Sequence, residues 1–322
     1  MRAITAVCGM PAVLLTWALW LAVGLGHLGL HGWIFDLFAN FTAQYMALFA
    51  VCVVALTIAR RPKMAMIALL GVAATTATMA PYFLAPSSAD PARDRDRFRL
   101  VTFNLWFRND DTARAVEFLR ASRADVVVLQ EVEIPNVEAL AQSLPELPHR
   151  LVLPTARHAL AIFSRWPLRD APHEASTDEP QRIARVDLDW RGTRVAFFGA
   201  HLNWPLSPLK AAARAEELDE LATFARASDG PVLVAGDFNL TPWSRYFERF
   251  VARSGLTDCA LGHGLLGTWP AQFKPLRIRI DQCFASAHWR VQRVAVGPAL
   301  GSDHLPVTVD LALNVANAST TE

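Results

Sequence analysis

The stretch "PVLVAGDFNLTP", Pro231 to Pro242, decides the fold. Val232, Leu233, Val234 and Ala235 run into Gly236, Asp237, Phe238 and Asn239. An apolar, β-branched run bounded by Pro and Gly reads as a buried strand. Alternate residues of a strand share a side, so Asp237 and Asn239 are expected to project together from its C-terminal end. An ionised carboxylate only accepts hydrogen bonds, whereas an amide both donates and accepts. That pair suits a hard cation beside a phosphate. An Asx turn closing the strand would use the same residues, so this stretch alone leaves both readings open.

Working outward, short apolar runs alternate with helical patterns from Phe98 on. Nine strands are expected: Phe98–Asn104, Asp125–Glu131, Leu160–Ser164, Arg182–Asp189, Arg194–Leu202, Val232–Asn239, Arg279–Ala285, Trp289–Val296 and Val307–Leu313. Three helices are expected: Asp111–Arg123, Ser207–Ala227 and Ser244–Ser254. Ser207 followed by Pro208 is a favourable helix start. Many strands and few helices predict an α/β chain of two packed sheets with helices outside. Several expected strands end alike. "VTFNLW" carries Asn104, "LQEVE" carries Glu131, "GAHLNW" carries His201, "GDFN" carries Asp237 and Asn239, "RID" carries Asp281, and "SDHLP" carries Asp303 and His304. Strand ends over a rigid sheet are where catalytic groups tend to sit.

The 322 residues divide unevenly. Before Asp90 the charged side chains are Arg2, Asp36, Arg60, Arg61 and Lys63, which leaves 27 Lys+Arg against 29 Asp+Glu in the remainder. That near-neutral balance lacks the basic excess of a nucleic-acid binder. Ile4–Leu28, Thr42–Ala59 and Met64–Leu84 are apolar enough to be read as three transmembrane helices, so residues 1–84 are expected to be a membrane anchor. "APSSADPARDRD" reads as a linker over 85–97, and 98–322 as the catalytic domain. Lys and Arg give conflicting orientations. Arg2 and the Arg60–Lys63 loop are read as favouring opposite arrangements, and four arginines follow the third span. A domain on the extracytoplasmic (periplasmic) side requires the Arg60–Lys63 loop to be inside, and that is the expected topology. Cys8 and Cys52 read as small hydrophobes. Whether Cys259 and Cys283 pair is open. No Cys-x-x-Cys zinc site is present.

The ordered series "FNLW", "LQE", "IFSRWPL", "GAHLNW", "GDFN", "RID" and "SDHLP" resembles the endonuclease/exonuclease/phosphatase family, the DNase I-like metal-dependent phosphoesterases. With the apolar N-terminal segment, the layout resembles a membrane-anchored bacterial branch, the teicoplanin-resistance membrane proteins. The resemblance implies a four-layer α/β sandwich with its site at one edge of two sheets. It implies that Glu131 binds metal, and that Asn104 and Asp303 help hold the metal or position the phosphate. Asp237 would activate the attacking water, and Asn239 would hydrogen-bond the phosphate. His304 would act at the scissile phosphate, oriented by Asp281 or Asp303. His201 would contact a phosphate oxygen or protonate the leaving group. The implied cofactor is Mg²⁺, with Mn²⁺ as the alternative. The chemistry wants these types independently, because Mg²⁺ prefers a few carboxylates and offsets developing phosphoryl charge. An Asp-held histidine is a suitable acid or base. With no evident covalent nucleophile, attack by water is expected. The expected partners are the lipid bilayer and a phosphorylated, lipid-linked substrate. A membrane-anchored nuclease acting on nucleic acid, and a catalytically silent scaffold, are the rivals. His27, His31, His149, His158, His173, His263 and His288 have no motif and read as loop or surface residues.

Overall fold

The computed structural model describes residues 2–85, 97–109, 111–154, 158–170 and 182–314. The N-terminal part is helical throughout: α1 (Arg2–His27), a 3-10 turn, α2 (Trp33–Ala39), α3 (Thr42–Ile58), α4 (Pro62–Met79) and α5 (Pro81–Leu84). Gly9–His27 and Pro62–Met79 are long and apolar enough to cross a membrane. The pair α2–α3, bent by 59°, makes a third if it is one broken span. The expected third span is shorter than Met64–Leu84, because the helix stops at Met79 and Pro81 begins a separate turn. The expected conflict of loop charges is also corrected. A Cβ on Gly9 would meet Arg61 Nε at 3.0 Å. The start of α1 and the Arg60–Lys63 turn therefore share one end of the helices, so Arg2 and that loop ask for the same orientation. The expected linker lies almost wholly outside the described residues, as does His173.

The rest of the chain forms β1 (Arg97–Asn104), α6 (Thr112–Ser122), β2 (Val126–Glu133), α7 (Val137–Ser143), β3 (His149–Pro154), β4 (His158–Ser164), β5 (Leu168–Asp170) and β6 (Ile183–Trp190). It continues with β7 (Thr193–His201), α8 (Pro208–Ala227), β8 (Val232–Asp237), α9 (Arg245–Ser254), β9 (Thr257–Asp258), β10 (Asp281–Ala285), β11 (Trp289–Val296) and β12 (Val307–Leu313). One sheet has the order β11-β12-β1-β2-β4-β3 and the other β5-β6-β7-β8-β10-β9.

Alternation along the strands builds the layers. Phe98, Leu100, Val126, Val128 and Ile162 of the first sheet share a core with Val186, Leu188, Phe197, Leu233 and Ala235 of the second. Their neighbours face outward. Val101, Phe103, Val127 and Leu129 pack with Leu119 of α6 and Leu140 of α7. Phe198, Val234 and Phe284 pack with Leu218 and Leu221 of α8 and Phe247 and Phe250 of α9. Both faces of the central strands are buried, which is why they read as continuous apolar runs. The result is the expected α/β sandwich of four layers.

Caps fix the helix starts. Ser207 accepts from Lys210 N and Ser244 from Tyr246 N, and Pro208 suits the first helical position. Gly255, at φ +71, ends α9 in the left-handed conformation that Gly adopts at little cost.

Candidate active site

The site forms where the C-terminal ends of β1, β2, β7 and β8 meet the start of β10. Register places His201 of β7 beside Asp237 of β8, and Asp281 of β10 opposite Asp237. In the other sheet Asn104 of β1 lies beside Gln130 of β2.

Two departures from regular backbone aim the side chains. The β2–β4 pairing shifts register between Leu129 and Val132, and Glu131 within that bulge has φ +54. Bulges re-aim side chains beside functional sites, and this one turns Glu131 toward Asn104. Asn239 has φ +48, a region that Asn tolerates better than most residues. The strand stops at Asp237 instead of running to Asn239. Asn239 N donates to Asp237 Oδ1 at 2.9 Å, so the Asx turn is real and the expected in-strand alternation is corrected. Asn239 Nδ2 donates to Leu202 O at 2.9 Å, which leaves its side-chain oxygen and one hydrogen for other partners.

Asn104 is the hub. Its Nδ2 donates to Glu131 Oε1 at 3.1 Å and to Asp237 Oδ2 at 3.0 Å. Its Oδ1 accepts from Trp106 N at 2.9 Å. The amide oxygen keeps a second lone pair, so Asn104 both aligns two carboxylates and retains an oxygen that a cation could use. Glu131 Oε2 accepts from Phe107 N at 3.3 Å. His201 Nε2 lies 3.6 Å from Glu131 Oε1 and 4.0 Å from Asp237 Oδ2.

His304 Nδ1 stands 2.9 Å from Asp281 Oδ2, and its Nε2 points at Asp237 Oδ2 from 3.8 Å. Asp281, not Asp303, is the residue that orients His304. Asp303 Oδ2 instead accepts from Trp269 Nε1 at 3.0 Å. Ser302 ties the corner: its Oγ donates to Asn104 O at 2.7 Å and accepts from His304 N at 3.0 Å.

The electrostatics divide the two histidines. Burial works against the His304 imidazolium, but Asp281 and Asp237 outweigh it and push the ring up to about 10. Burial, then the charges of Arg182 and His304, hold His201 well below the usual imidazole range. At neutral pH one ring is charged and the other neutral. Burial pushes Asp237 up to about 7; His304 opposes the rise and Asp281 adds to it. Burial also raises Asp303, with Glu131 adding to the rise.

The oxygen donors fit a hard divalent ion. Glu131 and Asp237 share the Asn104 amide, and Asp303, whose buried Oδ1 has no hydrogen-bond partner, feels the Glu131 charge. Such donors suit Mg²⁺ or Mn²⁺. Ligand atoms of Asp237, Asp281 and His304 also lie within 4.8 Å of one another. An imidazolium has no free lone pair, so that trio reads better as a proton-holding cluster.

Seven of the eight expected site residues meet through direct contacts or through the Asp237–Asn239 turn, and Asp303, next to His304 in the chain, is held by Trp269. Reasoning from sequence missed Ser302, which ties Asn104 to His304, and did not foresee Trp269 as the donor that holds Asp303. It also misplaced His158, which lies in β4 with its ring stacked on Phe107 at 4.8 Å. Trp269 precedes a long connection to β10, and no local signal marks its partner. Cys259 and Cys283 are free buried thiols whose sulfurs lie 3.0 Å apart.

The two-sheet sandwich thus carries acids, amides and a His–Asp pair together at one edge. The sequence profile of the endonuclease/exonuclease/phosphatase family matches residues 101–304, and the chain belongs to that family. No curated protein matches the sequence. Among solved structures, it is similar to an endonuclease/exonuclease/phosphatase from Beutenbergia cavernae DSM 12333, at 23% identity and TM-score 0.54, over 68% of this chain and 72% of the other. It is similar to a humanized D. rerio TDP2, at 19% identity and TM-score 0.56, over 67% and 99%. It is also similar to the mannosyl-6-phosphatase Bt3783 of Bacteroides thetaiotaomicron VPI-5482, at 20% identity and TM-score 0.51, over 67% and 100%.

Proposed function

We propose that this protein is a membrane-anchored, Mg²⁺-dependent phosphoesterase, with Mn²⁺ as the alternative ion. It hydrolyses a phosphate ester, phosphodiester or pyrophosphate of a lipid-linked substrate by direct attack of water. The observation that carries this reading is His304, held by Asp281 at 2.9 Å and facing Asp237 across 3.8 Å beside oxygen donors. Glu131, Asp303 and Asp237 would hold the ion, which when bound offsets phosphoryl charge. Asp237 would orient the attacking water and accept its proton. His304 donates to a phosphoryl oxygen and stabilises the charge that builds there. The neutral His201 positions the phosphate or the leaving group. Asn239 offers its remaining amide hydrogen to the phosphate. The similarity to TDP2 and to a mannosyl-6-phosphatase accords with phosphoester chemistry without choosing the ester.

The lipid-linked class rests on the apolar N-terminal helices, which would keep the site near a bilayer. They make residues 1–84 the anchor, 85–97 the linker and 98–322 the catalytic domain, in the manner of the teicoplanin-resistance membrane proteins. Arg60, Arg61 and Lys63 lie at the end of the helices away from the site. The rule that basic loops remain inside then places the site on the extracytoplasmic face. The nuclease reading is weaker, because 27 basic residues face 29 acidic ones in the part that would meet nucleic acid. The test is product release by the full-length protein with Mg²⁺ from a lipid pyrophosphate, from phospholipids including sphingomyelin, and from DNA. Cleavage of DNA alone would replace the lipid reading with the nuclease.

A further inference from the structure

The N-terminal helices touch the loops of the candidate site through buried charges. Asp36 of α2 and Arg214 of α8 are both almost fully buried. Arg214 Nη2 donates to Asp36 Oδ2 at 2.7 Å. The same guanidinium donates through Nη1 to Asn239 O at 2.6 Å. Asp36 Oδ1 accepts from Ser244 Oγ, and Asn40 Oδ1 accepts from Thr241 Oγ1 at 2.9 Å. The loop 238–244 is thus held at two points by α2 and its C-terminal neighbour, and at a third by Arg214 of α8. A second clamp lies on the far side. Tyr82 donates to Asp258 Oδ2 at 2.9 Å, and Arg279 pairs with the same carboxylate. Gly264 N donates to Tyr82 O at 2.7 Å, and Gln44 Nε2 reaches Pro275 O and Arg277 O. Arg279 lies two residues before Asp281.

A tether alone needs none of this. Burying two charges is costly unless they are paired and hydrogen-bonded, and here every bond that Arg214 makes through Nη1 and Nη2, with Nε left unpartnered, joins a helix of the anchor to the site. Asn239 is in the left-handed region, a conformation that persists only when its surroundings fix it. Three bonds do so: its amide to Asp237, its side chain to Leu202 O, and its carbonyl to Arg214. Only the last leads to the anchor.

We propose that the Asp36–Arg214 pair makes the membrane helices part of the active site, with Arg214 as the positioning residue that sets the Asn239 turn. This inference rests on the proposed phosphoesterase reading for its turnover readout. The turn carries the amide that faces the phosphate, so the arrangement of the helices reaches the reacting centre through one guanidinium. The planar guanidinium suits the task because it can hold a carboxylate and a carbonyl at once.

The test uses full-length protein in lipid nanodiscs with Mg²⁺ and the soluble probe bis(p-nitrophenyl) phosphate. Wild type is compared with Arg214→Lys and with the double variant Asp36→Leu/Arg214→Met. Lys keeps the charge opposite Asp36 but cannot bridge to Asn239. The apolar double variant removes both charges and leaves neither unpaired. A displacement of about 1 Å costs roughly a hundredfold in rate. The expected result is a kcat about ten- to a hundredfold lower in the double variant and intermediate in Arg214→Lys. KM and the Mg²⁺ dissociation constant should stay within about twofold, and amide exchange should accelerate over 238–244. Purely structural roles would shift melting temperature without that kcat-selective loss. Wild-type kcat and wild-type exchange in a folded Arg214→Lys protein would overturn the proposal, even if the double variant fails to fold. If wild type turns over no phosphoester, the functional reading fails. The exchange over 238–244 then decides the clamp by itself: faster exchange in the variants upholds it, and unchanged exchange overturns it.

Discussion

Replacing Gly236 by Ala should disable the site through backbone geometry alone. Gly236 precedes Asp237 in β8 and lies beside Ala200 of β7. Its φ is +153, and a Cβ there would stand 1.9 Å from Ala200 O and 2.8 Å from Ala200 N. Reaching even 3.0 Å from that oxygen requires about 1.1 Å of movement. The obstacle is backbone on both sides, so no side chain can swing away. Overpacking costs about 1–3 kcal/mol, and a backbone region reserved for Gly costs about 1–3 kcal/mol more. A loss of about 2–6 kcal/mol is large against a typical stability of about 5–15 kcal/mol. The shift also falls on Asp237, whose Oδ2 sits 3.0 Å from Asn104 and 3.8 Å from His304. Misplacement by about 1 Å predicts a rate loss of about a hundredfold. The assay is kcat on bis(p-nitrophenyl) phosphate with Mg²⁺, together with thermal unfolding by circular dichroism. Gly192→Asn is the control, since Gly192 has φ +84 and nothing within 4 Å. Gly236→Ala protein with kcat within about threefold of wild type and an unchanged melting temperature would refute the reasoning.

Other consequences are as specific. Trp269→Phe removes the donor that holds Asp303, and loss of such outer-layer partners weakens metal binding by about 10–100-fold. Titration calorimetry with Mn²⁺ should show that loss without a change of fold, and unchanged affinity would contradict it. In metal-free protein His304 is raised from its ordinary value of 6.5 to about 10. Its contribution to stability is therefore full below about 6.5 and is lost as pH rises through about 10. Asp237, raised from 3.8 to about 7, acts in the same direction at lower pH. Urea melts in EDTA should show declining stability across both windows, and His304→Gln should flatten the alkaline one. Because Asp237 holds a proton up to about pH 7, Mg²⁺ binding at pH 6 should release close to one proton and at pH 9 almost none. Calorimetry in buffers of different ionisation enthalpy measures this, and equal release at both values would contradict the raised carboxyl.

Much of the fold is legible in the sequence, because both faces of its central strands are buried. Phe98–Asn104 and Val307–Leu313 show as apolar runs, and the polar residues that end or precede such runs make up the candidate site. What is not legible depends on backbone irregularity or on distant partners. The bulge that turns Glu131 has no local signature. Asn239 looks like a strand residue until its φ of +48 shows the turn. β3 begins with His149 and Arg150, and the short helix Val137–Ser143 follows an Ile-Pro turn, so neither announces itself by periodicity. Asp36 and Arg214 are 178 positions apart, and nothing near either one predicts the other. The agreement of Arg2 with the Arg60–Lys63 loop shows only once Arg61 is seen beside Gly9, and the four arginines after the third span still oppose them.

The proposed function is metal-dependent hydrolysis of a lipid-linked phosphoester by the edge that holds Asp237 and His304. It is tested by product release from a lipid pyrophosphate by the full-length protein in nanodiscs, with Mg²⁺ or EDTA, in wild type and in Asp237→Asn. Wild type with Mg²⁺ should release product, with a loss of at least about a hundredfold in EDTA or in the variant, on the scale of a lost acid–base group. Release that survives both EDTA and Asp237→Asn would contradict it.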